Sequence, residues 1–484
     1  MIKVKVDSKR LGHKVLLVNP PLGVLYEKAK VRASVPTYPP LNLALLSGSL
    51  RSRGYEVEIF DMLPESKTLD ELEEFIGYFS PTVVGITATT PVFDELKKIA
   101  SRVKKHNTDI LTVGGGAHLS SLPEWAINDA DLDFGIIGEG EVTFPELLSA
   151  NNAASVPGIV YKEEGRAKIT GRGKTVQDLD ELPKPAWDLI ELPKYWVPKT
   201  LARRNPVAGL ETSRGCPYGC IFCCKSVFGR TYRVKSPQRV LEEVRDYAKA
   251  GFKEIHILDD AFAYDIERAI EICRLIKEEA LDIAFCAANG LRADHVTCEL
   301  LSAMKEAGFY RVAFGVETGD PDVLKRTKKG IKMDEIRRGI KLAKEAGLET
   351  MGYFMFGLPG ETEKSMQRTI DFAKELEPTI AKFNVAVPLP GTELFELWQE
   401  NLSREWGRYG FHMTGLEVLN SPELDRQTVR EYYDKAYREF YWRPRYVIRQ
   451  FIRSLKNRTL LADLRVLIST DWSSPYRRQK IQKG

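Results

Sequence analysis

The chain has 484 residues, so two or three domains are expected. Hydrophobic residues make up 43% and charged residues 29%, a soluble globular balance with enough apolar material for sizeable cores. No segment approaches the roughly 20 uncharged apolar residues that span a bilayer, and residues 1–14 lack the apolar stretch of a signal peptide, so a cytoplasmic protein is expected. Seven cysteines are too few, and too clustered, for a disulfide framework, since four of them fall between Cys216 and Cys224. The net charge of +4 is unevenly spread: residues 441–484 hold eleven Lys or Arg against two Asp, and the remainder is mildly acidic. A basic tail suggests an anionic partner, although a solvated surface helix has the same composition.

In chain order, residues 14–19, 56–61, 83–87, 110–114 and 134–138 read as buried strands. Stretches at 41–53, 69–79, 93–105 and 122–128 carry helical apolar spacing between them. Such alternation predicts a Rossmann-like, doubly wound parallel sheet, an α/β domain over residues 1–150, with ligands beyond the carboxyl ends of its strands. Residues 151–200 contain a hairpin at 158–170 and then four prolines, read as an ordered linker. Alternation resumes on a larger scale in residues 201–395. Strands are expected at 209–213, 254–258, 283–287, 311–315, 350–356 and 381–385, with helices at 237–250, 266–279, 297–307, 334–346 and 362–376. Six such units predict a partial (β/α)6 barrel with its chemistry at the strand C-termini. Residues 396–484 read as a mainly helical C-terminal region.

The first barrel strand runs directly into Cys216-Pro-Tyr-Gly-Cys220-Ile-Phe-Cys223-Cys224, which contains C-x3-C-x2-C. Three thiolates at these intervals on a glycine-rich loop can converge on one [4Fe–4S] cubane and leave its fourth iron open. The alternative is a zinc knuckle or a buried cysteine group. A tetrahedral zinc site would pair two C-x2-C halves, and no second half is present.

Placed after a first barrel strand, this motif resembles that of the radical SAM superfamily. The resemblance implies that Cys216, Cys220 and Cys223 hold the cluster and that S-adenosylmethionine (SAM) chelates the open iron. An electron from a low-potential donor would then cleave SAM to a 5′-deoxyadenosyl radical that abstracts hydrogen from an unactivated carbon. Phe222 matches the aromatic that lies against adenine. Asp259 and Asp260 match the segment that meets the SAM amino group, Asn289 and Arg292 the third-strand segment, and Glu317 the fourth. Each has a plainer reading: the two aspartates could cap the next helix, and Arg292 could sit in a surface ion pair. Cys224 falls outside the motif and reads as a spectator thiol. Cys273, Cys286 and Cys298 receive no role, although Cys286 is expected at a strand end where it could face the cavity.

The first 150 residues resemble the cobalamin-binding domain that precedes the barrel in class B, B12-dependent radical SAM enzymes. The carrying residues are Pro39-Pro40-Leu41, Gly54-Tyr55-Glu56-Val57, Gly114-Gly115 with His118, and Gly138-Glu139-Gly140-Glu141. On this resemblance the cobalamin contacts are Thr87, Thr89, Gly114, Gly115, His118, Gly138, Glu139 and Gly140. The D-x-H-x-x-G signature is missing after the first strand, where Asn19-Pro20-Pro21 stands. Family members often lack it, but a domain that had lost cobalamin would lack it too. A lone loop His is more often a hydrogen-bond partner than a metal ligand.

The function expected is a cobalamin-dependent radical SAM enzyme that methylates an unactivated carbon of a small, hydrophobic or lipid-like substrate. The alternatives are an oxidative cyclase or carbon–carbon coupling enzyme, and a non-catalytic Fe–S or corrinoid carrier. In the tail, Val447, Ile448, Phe451, Ile452 and Leu455 can share one face of a basic helix. That face suits contact with an anionic membrane surface, or packing on the barrel. No RNA-binding module is recognisable, so nucleic acid is not expected as a partner.

Overall fold

A computed structural model describes residues 14–21, 36–410 and 413–456, together with 460, 461, 464 and 468. Its first domain is built on the strands β1 (Lys14–Asn19), β2 (Glu56–Asp61), β3 (Val83–Thr87), β4 (Leu111–Gly115) and β5 (Phe134–Ile136), all parallel. The strands are runs such as Val15-Leu16-Leu17-Val18, at most 1% exposed, because helices cover both faces of the sheet. Those helices are α1 (Leu41–Arg51), α2 (Leu69–Phe79), α3 (Phe93–His106), α4 (Ala117–Ser121), α5 (Pro123–Asp129) and α6 (Gly140–Ser149). Local chemistry starts them where expected: Thr68 and Glu71 form a reciprocal capping box at α2. The order β2-β1-β3-β4-β5 reverses direction between β1 and β3, the place where such sheets hold ligands.

The hairpin expected in the linker is instead part of this sheet. Its strands, β6 (Ile159–Glu163) and β7 (Arg166–Ile169), extend the order to β5-β6-β7 by antiparallel pairing. Ile159, Val160 and Tyr161 are buried there, so the first domain reaches beyond residue 150.

The second sheet has six parallel strands in the order β15-β14-β13-β12-β11-β8, an open barrel with β8 and β15 at its edges. The strands are β8 (Val207–Leu210), β11 (Glu254–Ile257), β12 (Ala284–Leu291), β13 (Phe309–Glu317), β14 (Glu349–Phe356) and β15 (Ile380–Val385). Its outer layer comprises α7 (Pro237–Ala250), α8 (Ile266–Glu279), α9 (Cys298–Glu306), α10 (Pro321–Arg326), α11 (Met333–Glu345) and α12 (Glu363–Leu376). The first strand stops at Leu210, and a two-residue antiparallel pair, β9 (Ser213–Arg214) with β10 (Arg233–Val234), carries the cysteine loop above it. β12 runs on to Leu291, so Cys286 lies inside the strand rather than at its end.

The C-terminal region binds the two halves together. After α13 (Glu393–Trp398), Trp406, Tyr409 and Val418 join the core of the first domain. α14 (Arg426–Tyr441) packs Tyr433 and Phe440 on the barrel. α15 (Pro444–Lys456) then turns Tyr446, Arg449, Arg453 and Ser454 towards the barrel, with Tyr446 donating to Thr379 O and Arg453 reaching Glu349. Its apolar residues Val447, Ile448, Phe451, Ile452 and Leu455 remain 47–61% exposed. No helix among the described residues is long and apolar enough to cross a membrane.

Candidate functional site

The cysteine loop is held by backbone bonds at both ends and in its middle. At its start Gly215 has φ +80°, and a Cβ there would stand 2.2 Å from Thr231 O, so only glycine fits. Cys216 N donates to Gly229 O, Ile221 N to Thr327 O, and Leu394 N to Ile221 O. Lys225 Nζ donates to Cys216 O at 3.1 Å. Cys216 and Cys220 are half-buried and Cys223 is exposed. The Cys220 thiol is pulled down to about 6 by its hydrogen bond from Cys223; burial opposes this, and Lys329 and Lys225 assist. The same bond raises the Cys223 thiol, so the two titrate as a coupled pair.

Three thiols on one loop, one of them already biased to thiolate, fit a cubane that takes one sulfur on each of three irons. Among the described residues no three His, Cys, Asp or Glu close on a point where a single ion would bind, and a cubane requires no such point. Cys224 turns away, its sulfur 3.5 Å from Ser121 Oγ and 3.4 Å from Ser226 Oγ.

Tyr218, between the first two cysteines, escaped the sequence reading. Arg292 lies 3.7 Å over its ring, and its hydroxyl meets His295 Nε2 at 2.6 Å. Burial pushes its phenol up to about 12. Arg292 is otherwise committed, bidentate to Asp294 and donating to Lys329 O. Sequence reasoning offered it to SAM or to a surface ion pair; here it braces the cysteine loop.

Asp259 is likewise committed. It is 3% exposed and accepts from Thr212 N, Thr212 Oγ1 and Ser213 Oγ at 2.5–2.6 Å, which anchors the strand end beneath the loop. Its buried carboxylate offers no free face to an amino group, contrary to the expected SAM contact. Asp260 does offer one, because it is exposed. Asn289 donates its amide to Leu258 O and Asp259 O and leaves its side-chain oxygen available. Phe222 is half-buried against the barrel core.

Glu317 ends β13 in the left-handed region, φ +67°, next to a register shift against β14. Strain of this kind persists only where surrounding contacts impose it. Its carboxylate pairs with Lys329 at 2.6 Å, and a Cβ on Gly315 would fall 2.5 Å from both charged atoms. Thr327, two residues before Lys329, accepts from Ile221 N, which places the pair beside the cysteine loop. Nothing in the sequence around Lys329 signalled it.

The carboxyl edge of the first sheet faces the same region. Thr89 is exposed, while Thr87, Gly115, Gly138 and Gly140 are half-buried. Thr87 accepts from Asn42 Nδ2 at 3.3 Å. A ledge of small residues with little side-chain bulk suits a flat macrocycle. Three residues expected to touch cobalamin are otherwise engaged. Gly114 is inside the sheet layer, where a Cβ would strike Leu132 Cδ1 at 2.6 Å. Glu139 is 3% exposed and pairs with Arg214 at 2.8 Å and Arg233 at 2.7 Å, across the domain boundary. His118 is fully buried, with ring centroids 4.1 Å from Phe93 and 4.7 Å from Trp406. Burial drives its pKa down to about 3, Nδ1 faces Thr90 Oγ1, and Nε2 has no hydrogen-bond partner among the described residues.

Arg214, one residue before Gly215, is 1% exposed and receives Glu211 at 2.6 Å, Glu139 at 2.8 Å and Glu141 at 2.5 Å. Burial lifts Glu211, while Arg214 holds Glu141 below the usual carboxylate range against its own burial. At the linker, Tyr195 donates to Asp61 at 2.8 Å, which ties the end of β2 to the chain entering the barrel.

Comparison with known proteins agrees with this geometry. Residues 210–373 match the radical SAM superfamily and residues 28–148 the B12 binding domain. The chain is 36% identical over 446 residues to an uncharacterized methyltransferase of Pyrococcus horikoshii, covering 90% of this chain and 94% of that one. It is 32% identical over 507 residues to cytidylyl-2-hydroxyethylphosphonate methyltransferase of Streptomyces wedmorensis, covering 90% and 92%. Its fold matches the cobalamin-dependent S-adenosylmethionine radical enzyme OxsB with a TM-score of 0.71 at 19% identity, over 93% of this chain and 71% of that one. The chain therefore belongs to the radical SAM superfamily, to its branch with a B12-binding domain, and is an enzyme that works with a [4Fe–4S] cluster, S-adenosylmethionine and cobalamin.

Proposed function

We propose that this enzyme methylates an sp3 carbon of a small molecule, with Cys216, Cys220 and Cys223 as the cluster ligands. The observation that carries the reading is the cysteine loop itself. It stands over the strand C-termini of the barrel and is clamped through Arg214 to the carboxyl edge of the first sheet. When bound, the cofactors supply a 5′-deoxyadenosyl radical for hydrogen abstraction and a methyl group for transfer. The chain's own part is to hold them around one substrate. Tyr218 and Arg292 fix the loop; Asp260 and the Asn289 oxygen would hold the SAM amino group, and Phe222 would pack against adenine. Glu317 and Lys329 form a charge pair that sets the field at Cys220. Thr87, Thr89, Gly115, Gly138 and Gly140 would form the ledge for the corrin.

The test is anaerobic reconstitution followed by assay of iron, corrinoid, 5′-deoxyadenosine and S-adenosylhomocysteine. The wild type forms both nucleoside products, and each Cys→Ala change at 216, 220 or 223 removes 5′-deoxyadenosine. Products unaffected by those changes overturn the cluster assignment. 5′-Deoxyadenosine without S-adenosylhomocysteine turns the reading to cyclisation or coupling.

A peripheral contact with anionic membrane is the second part of the proposal. It is supported by α15, whose apolar stripe points outward beside Arg445, 82% exposed at its side chain. Such a stripe with flanking basic residues matches the interface of a lipid surface. Vesicles containing phosphatidylserine should sediment the wild type but not Ile448→Ser/Phe451→Ser. Equal sedimentation of both removes this part.

A further inference from the structure

Among the described residues, the charged side chains on the lumen faces of the barrel strands are, with one exception, matched. Glu254 meets His256 at 2.7 Å, Arg311 meets Glu349 at 2.8 Å, and Glu317 meets Lys329 at 2.6 Å. Lys382 on β15 has no carboxylate within ion-pairing distance among the described residues. Its neighbours in sequence, Ala381 and Phe383, belong to the core under the helices, so by the two-residue alternation of a strand Lys382 points inward. It is opposite Tyr353 in register, with its ammonium 5.9 Å from the centre of that ring. Tyr353 is itself fixed by donating to Ala288 O at 2.7 Å. The charged group nearest in influence is Arg311, which repels Lys382 and is already saturated by Glu349 and the carbonyls of Thr200 and Leu201. Burial and Arg311 together take the amine down to about 8.

Two residues on, towards the mouth, Asn384 is half-buried on the same face, opposite Met355. Lys382 is half-buried, and a ligand that covered it would withdraw its ammonium from water, which is costly without a counter-charge, so the position favours a ligand that brings one. Lys382 lies one pleat below Asn384, about 7 Å deeper than the strand position nearest the mouth.

We propose that Lys382, assisted by Asn384, receives an anionic group of the substrate, a carboxylate or a phosphoryl group, and holds it in the lumen while the reacting carbon stays at the mouth. This rests on the reading of the barrel mouth as the reaction site. It gives the substrate class a feature that composition did not: a fixed negative charge at one end of the molecule.

The test uses the reconstituted full-length enzyme without oxygen, treated at pH 7.5 with formaldehyde and cyanoborohydride and read residue by residue by mass spectrometry. The probes are acetate and methyl phosphate, with acetamide as the neutral control. Only the free amine reacts, so an anion that raises the lysine pKa by one unit slows methylation of Lys382 roughly eightfold at this pH. Slowing by either anion and not by acetamide is the expected result, and the more effective anion identifies the group. Rates at Lys382 that respond no more to the anions than to acetamide overturn the inference. The same preparation is assayed for 5′-deoxyadenosine. Its formation with Lys382 unprotected refutes the anion seat alone, whereas its absence from protein with an intact cluster refutes the reaction reading.

Discussion

His118 makes the fold sensitive to acid in a way that can be calculated. Its ring is fully buried between Phe93 and Trp406, and its pKa falls from 6.5 to about 3. The unfolded chain binds a proton at this residue below pH 6.5, while the folded chain refuses it until about pH 3. Stability from this residue is therefore complete above pH 6.5 and is lost as pH falls through that window. The loss is about 1.4 kcal/mol per pH unit, or about 2 kcal/mol at pH 5. His118→Gln cannot titrate, so it lowers stability by a constant amount and removes the slope. Pulse proteolysis in urea at pH 5, 6 and 7, read on peptides from α3 and α4, gives both curves, and their difference cancels every other titrating group. Parallel curves for wild type and variant would refute the argument, because they would mean that the ring accepts a proton in place.

Other consequences are equally direct. Arg214→Met leaves Glu139, Glu141 and Glu211 buried together without their shared cation, so it should cost about 3–5 kcal/mol in urea denaturation, with part recovered by adding Glu139→Gln. Gly215→Ala imposes left-handed strain and a clash with Thr231 O, worth about 1–3 kcal/mol locally, so iron retained after anaerobic gel filtration should fall on the order of tenfold. Tyr218→Phe removes the bond to His295 but keeps the ring under Arg292; a loss of about 1 kcal/mol should appear as faster thermal loss of iron at unchanged global melting.

The sequence announces what depends on neighbours along the chain. The strands of both sheets are legible because parallel strands covered on two faces must be apolar runs, and the cysteine loop because Cys216, Cys220 and Cys223 lie within eight residues. What depends on distant partners stays silent. Trp406 seals His118 across 288 residues, and no local pattern in either segment shows it. Glu139 sits in a glycine-rich loop of the kind that cradles ligands, yet its partners, Arg214 and Arg233, lie beyond the linker. Asp259 and Arg292 sit at positions where the family resemblance leads one to expect ligand contacts. In this chain their hydrogen bonds go to Thr212, Ser213, Asp294 and the Lys329 carbonyl. The apolar periodicity of α15 marks one face, but periodicity does not state which face meets the barrel. Tyr446, Arg449 and Arg453 decided that against the usual direction, because Thr379, Glu377, Pro378 and Glu349 supply polar partners at the contact.

The cysteine loop is fastened to the first domain at both of its ends. Arg214 immediately precedes it and is bonded to Glu139 and Glu141; Cys224 and Ser226 close it, with Ser226 bonded to Ser121 at 2.9 Å. Ser121 and Glu139 follow β4 and β5, so the carboxyl edge of one sheet is registered on the loop that crowns the other. Covalent linkage through residues 170–206 alone would leave that spacing loose. The buried ionic group and the Ser121–Ser226 bond set it before any cofactor arrives, and they do so with residues next to the motif cysteines rather than at the domain periphery. Three carboxylates around Arg214 and Arg233 also make the contact specific: any displacement of the domains strands a buried charge, which an apolar interface of equal area would tolerate. A reaction between two cofactors on separate sheets needs that kind of constraint, since an error of about 1 Å in the position of a reacting carbon can cost on the order of a hundredfold in rate.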